Sequence, residues 1–266
     1  MPKRRLILFI VAAVALFLTG CETIDPIPTW TFFQLLYTTA LGTWFLYGMN
    51  YRVFHRNKIK ESLQSLIIPN FQNFMIFHFF LLVLPLLLWT ISKFQFFLLA
   101  MLLFLSWMYA FAFDFGDEKF KLKEKFVIKN ILIGLTWGCL TLLPCNHEAM
   151  IHWPLCFLVF AQVFMGSIIR DMDDVQHDQT FNIKTLPTQY GINTTIQILH
   201  VFNLLIGIVC YFLQTEMGFL WLTLITCIWR ALNLVLVRIM PHQHHWTQTW
   251  NIGTCLIIYL VSLITF

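Results

Sequence analysis

Apolar residues along this chain gather into runs of about 15 to 22, separated by short polar or charged breaks, without the period-two alternation of a half-buried strand. Runs of that length approach or reach what a helix needs to cross a bilayer, about 20 residues. They predict nine spans, near Leu6–Gly20, Thr31–Met49, Phe74–Ile91, Phe94–Phe113, Val127–Leu143, Ile151–Ile169, Ile192–Leu213, Phe219–Val237 and Trp250–Phe266. The expected fold is therefore all-α and polytopic, one membrane-embedded domain over residues 1–266. A transmembrane barrel would need alternating segments of about ten residues, and stretches such as Leu98–Leu105 and Phe219–Ile228 do not alternate.

Composition agrees. Hydrophobic residues make up 59% of the 266 and charged residues 11%, against about 25% charged in an ordinary soluble domain. The seven cysteines include no CxxC spacing, which argues against a zinc knuckle or a disulfide framework. No phosphate-binding glycine loop and no HExxH occurs, and the basic residues form no folded platform for nucleic acid. The tract His242, His244 and His245 has no neighbouring carboxylate to complete a metal site and reads as an interfacial loop.

The net charge of +4 is explained by position. With Lys3, Arg4 and Arg5 in the cytoplasm, the nine-span reading puts fifteen of the 17 Lys and Arg on that side, Lys93 and Arg230 being the exceptions. This orientation predicts a multi-pass protein of a bacterial inner membrane with a cytoplasmic N-terminus. Leu18-Thr19-Gly20-Cys21 behind the basic start also reads as a lipoprotein signal, whose cleavage would remove the first span.

The strongest local signal is acidic. Four of the seven aspartates fall in Arg170-Asp171-Met172-Asp173-Asp174-Val175-Gln176-His177-Asp178. On a helix continuing the sixth span, Asp171, Asp174 and Asp178 share one face within about 60°, where like charges repel. A magnesium ion would turn that repulsion into coordination, since about one to three carboxylates together with water and substrate phosphate fit its needs. A solvated cap ending the span is the simpler alternative.

Together with Lys184-Thr185-Leu186-Pro187 and Gly191, this stretch resembles the second aspartate-rich motif of the UbiA superfamily of intramembrane prenyltransferases. The resemblance implies a nine-helix bundle around a central cavity. It also implies magnesium and the diphosphate of a polyprenyl donor on Asp171, Asp174 and Asp178, phosphate contact by Lys184, and transfer of the prenyl group to a lipophilic acceptor, aromatic ones included. Lys184 reads equally as an ordinary cytoplasmic charge.

The family's first aspartate motif should fall near Tyr47–Lys60, but the best overlay starts at Asn50 and puts Tyr51, Phe54 and Lys58 where aspartates belong. Arg52 and Arg56, four apart, either bind phosphate directly or serve only as orientation charges. Asp117, with Asp114 beside it, is a further ligand candidate in the lysine-rich loop. Asn130 is a candidate pocket donor or a helix-contact residue, Gln162 and Ser167 are candidate pocket-lining residues, and Arg230 inside the eighth span contacts substrate, pairs within the bundle or snorkels. Two other readings stand beside the transferase: a family-like protein that binds prenyl lipid or diphosphate without turnover, and a solute transporter or structural membrane protein. Membrane lipid is an expected partner, and neither nucleic acid nor a protein partner is expected.

Overall fold

The computed structural model describes residues 2–22, 36, 39, 93–110, 113–115, 118–120, 126–144, 149–180, 183–213, 216–240 and 244–265. Among them are nine helices of defined extent: α1 (Pro2–Glu22), α2 (Lys93–Ala110), α3 (Ile128–Leu140), α4 (Ala149–Asp173), α5 (Val175–Thr180), α6 (Leu186–Tyr190), α7 (Ile192–Leu213), α8 (Met217–Ile239) and α9 (His244–Thr265). One antiparallel hairpin interrupts this all-α arrangement, with β1 (Phe113–Phe115) and β2 (Glu118–Phe120) in a register that sets Asp114 opposite Lys119.

The expectation of nine membrane spans is corrected here. Among the described residues, three helices are long and apolar enough to cross a membrane: Trp153–Asp173, Ile192–Leu213 and Met217–Ile239. These three are consistent with a multi-pass membrane protein. Ile10–Thr19, Ile128–Leu140 and Ile252–Ile264 are shorter apolar stretches among the described residues. At 1.5 Å per residue the 13 residues of α3 rise about 20 Å, against a hydrocarbon core of about 30 Å. The run expected to span Phe94–Phe113 leaves the helix after Ala110 and enters the hairpin. The spans expected at Thr31–Met49 and Phe74–Ile91 lie outside the described residues.

The long helices differ in what they face. In α4, 61% of the membrane-length window is buried, against 28% in α7 and 39% in α8, so α4 is the central helix. Leu158, Val159, Ala161, Met165, Ile168 and Ile169 of α4 meet Ala12, Ala13 and Leu16 of α1, Ile206 of α7, Leu222 and Leu234 of α8, and Ile258 of α9 in one core. The outer faces of α7 and α8 expose Val201, Leu204, Phe212, Ile228 and Leu232. Apolar residues turned outward on membrane-length helices are what lipid contact requires.

Between α3 and α4 the backbones touch. A Cβ placed on Gly134 would lie 2.9 Å from the Phe160 carbonyl oxygen, and one on Gly138 would lie 2.7 Å from that of Cys156. Two glycines four apart on one face remove the side chains that would hold the helices apart. Gly138→Leu is expected to destabilise the protein by about 1–3 kcal/mol, the usual cost of overpacking. Thermal unfolding of the purified protein in detergent checks this, with Gly207→Leu as the control, because a Cβ there meets nothing nearer than the Cys227 sulfur at 3.7 Å.

Candidate functional site

The close packing of α3 on α4 carries a charged cluster at the C-terminal end of α4. The chain enters α3 through Val127, whose φ of 62° lies in the left-handed region that a β-branched residue rarely adopts. The next turn presents Lys129 and Asn130. Lys129 Nζ lies 2.7 Å from Asp171 Oδ1, and Asn130 Nδ2 donates to Asp171 Oδ2 at 3.0 Å and to Ser167 Oγ at 3.0 Å. Asn130 is 2% exposed and Asp171 6%, so this is a desolvated ion pair with a neutral donor completing it.

Beyond Asp171 the helix does not run on unbroken. Asp174 occupies a turn, its amide donating to the Asp171 carbonyl at 3.3 Å, and α5 starts at Val175. The break falls within the stretch that carries the three aspartates expected on one face. Asp178, 5% exposed, comes within electrostatic reach of Asp171, whereas Asp174 is exposed. The Asp178 carbonyl accepts from the Ile183 amide at 2.8 Å, turning the chain back toward the bundle.

The segment beyond is built by side-chain capping. Thr185 N-caps α6 in a reciprocal box with Thr188, Pro187 sits in the first turn, and Gly191 at φ 79° closes the helix before α7. Lys184, just before the cap, is exposed.

Other sequence candidates fall elsewhere. Arg230 is fully enclosed: its Nε donates to Gln162 Oε1 at 3.1 Å, and its Nη2 donates to the Gln162 carbonyl at 2.6 Å and to Thr254 Oγ1 at 3.3 Å. Gln162 Nε2 donates on to Asn203 Oδ1 at 3.4 Å, and Asn203 Nδ2 to the Cys227 carbonyl at 2.8 Å. This chain of contacts ties α4, α7, α8 and α9 together. Gln162 precedes Asp171 by nine residues, a rise of about 13.5 Å along α4, so Arg230 belongs to a different level of the bundle. Asn50, Arg52, Arg56 and Asp117 lie outside the described residues.

Sequence reasoning counted Lys129 only among the cytoplasmic charges. A readable signal was the adjacent Lys129-Asn130 placed four residues before Gly134, which puts Asn130 on the glycine-lined face.

Among the described residues, no group of three or more His, Cys, Asp or Glu is placed to hold a metal ion. Two buried carboxylates that feel each other's charge remain, and they suit a hard divalent ion that needs only one or two carboxylates besides phosphate and water. Asp171 and Asp178 are the buried carboxylates that could hold such an ion, and Asp174 is exposed.

No family model and no curated protein matches the chain. Its fold is similar to that of a digeranylgeranylglyceryl phosphate synthase studied in membranes, with a TM-score of 0.67 and 15% identity over 99% of this chain and 98% of that one. It is also similar to the apo structure of a UbiA homolog from Aeropyrum pernix K1, with a TM-score of 0.65 and 11% identity over 96% and 97%. At such identities the likeness is one of fold.

Removing one member of the buried pair strands the other. Lys129→Ala is expected to cost about 3–5 kcal/mol, whereas Lys129→Met combined with Asp171→Leu restores most of the loss. Unfolding midpoints of the two variants against the native chain check this, and equal losses in the single and the double variant would contradict the pairing.

Proposed function

We propose that this chain transfers a prenyl group from a polyprenyl diphosphate to a lipophilic acceptor within the membrane. The observation that carries this reading is the Lys129–Asn130–Asp171 cluster, with Asp178 beside it, at the end of the most buried membrane-length helix in a fold like that of the UbiA homolog. The whole chain acts as one membrane-embedded domain. The positive-inside charges support placing the N-terminus and the aspartates at the cytoplasmic side of a bacterial inner membrane.

Asp171 and Asp178 would hold magnesium, which when bound supplies positive charge to the diphosphate leaving group. Asn130 and Ser167 fix the orientation of the Asp171 carboxylate. Lys129 neutralises that carboxylate while the donor is absent and then offers its ammonium to a phosphate oxygen. Lys184, exposed and following Asp178, adds a second cation on the solvent side. As the carbon–oxygen bond of the donor breaks, positive charge develops on the allylic carbon, which the acceptor attacks. Burial of the cluster against α3 and α4 keeps water from attacking first, and the apolar outer faces of α7 and α8 admit substrates that are themselves lipids.

The test is reconstitution in lipid vesicles with geranylgeranyl diphosphate and magnesium, following release of inorganic diphosphate. Magnesium-dependent release is expected, falling about 100-fold in Asp178→Asn and only a few-fold in Asp174→Asn. Donor binding without release would select a non-catalytic lipid-binding protein instead. Equal loss in the two variants would overturn the assignment of Asp178 over Asp174.

A further inference from the structure

Two cysteines from different helices meet at the end of the α3/α4 pair remote from the charged cluster. Cys139 lies one residue before the end of α3, and Cys156 lies near the start of α4, 15 residues before Asp171. The helices are in backbone contact there, because a Cβ on neighbouring Gly138 would stand 2.7 Å from the Cys156 carbonyl oxygen. The Cys139 thiol is hydrogen-bonded to Cys156, and neither forms a disulfide. Cys139 is buried against Phe17, Leu98, Leu102 and Leu143, while Cys156 is half-buried.

A disulfide requires the sulfurs to come within about 2.05 Å and the Cβ atoms to lie about 3.5–4.5 Å apart. The backbone contact beside Gly138 and the hydrogen bond between the two cysteines make them neighbours across the α3/α4 pair. We propose that Cys139 and Cys156 form a reversible disulfide that staples α3 to α4.

The oxidant is a low-molecular-weight or protein disulfide. The Cys156 thiolate attacks one of its sulfurs, giving a mixed disulfide and releasing one thiol. Cys139, after losing its proton, attacks the Cys156 sulfur and expels the second thiol. The balance is one disulfide and two protein thiols giving one protein disulfide and two released thiols. This end of the helix pair lies opposite the aspartates, which on the orientation proposed above is the side where disulfides persist. The staple itself follows from the thiol contact and does not depend on the transferase reading.

The experiment treats the purified full chain with glutathione disulfide or with dithiothreitol, then maps peptides without reduction and records thermal unfolding. A linked peptide joining Cys139 to Cys156 is expected, with an unfolding midpoint raised by a few degrees over the reduced protein. The rise should vanish in Cys156→Ser and in Cys139→Ser. Cys156 is the more exposed member, so Cys156→Ser carries the comparison should Cys139→Ser fail to fold. Absence of the linked peptide, its replacement by a Cys210–Cys227 link, or an undiminished rise in Cys156→Ser would overturn the proposal.

Discussion

The site rests on one desolvated ion pair, Lys129 against Asp171, held where two helices have no side chains to separate them. An isolated carboxylate at 6% exposure near the end of a membrane-length helix would be strongly unfavourable. The ammonium at 2.7 Å and the Asn130 amide at 3.0 Å compensate it. That compensation is available only because Gly134 and Gly138 bring α3 against α4. Packing and electrostatics are thus one constraint: the approach of the backbones makes the charge tolerable, and the charge pair fixes the end of the crossing.

A second polar level, around Arg230, does different work. Its guanidinium donates to Gln162 on α4 and Thr254 on α9, and Gln162 passes the contact to Asn203 on α7. Four helices that otherwise meet through apolar side chains are thereby fixed in rotation about their own axes, since a turn of any one would leave buried hydrogen-bonding groups unmatched. Hydrophobic contact alone is non-directional and does not set that rotation.

Much of the helical layout was readable from residue order. The run Ile192–Leu213 appears with those bounds as α7, and Phe219–Val237 falls within α8. Nine spans were not supported, because apolar content reports dislike of water without distinguishing lipid from the interior of a bundle, and because helices such as α3 end early. The acidic stretch was visible, but its geometry was not. An unbroken helix would put Asp174 with Asp171 and Asp178, but a turn interrupts the helix at Asp174, which is exposed. The partner of Asp171 was hidden for another reason: Lys129 is 42 positions away, and a contact at that separation is created by tertiary packing. The Arg230 contacts to Gln162 span 68 positions and were hidden in the same way.

The turn at Asp174 gives the acidic stretch two independent mountings. Asp171 is rooted in the central helix and clamped by α3, whereas Asp178 rides on a six-residue helix anchored through the Thr185 cap to the head of α7. The gap between their carboxylates is governed by a short joint rather than by helical rise. That joint therefore sets the size of any cation the two carboxylates could share.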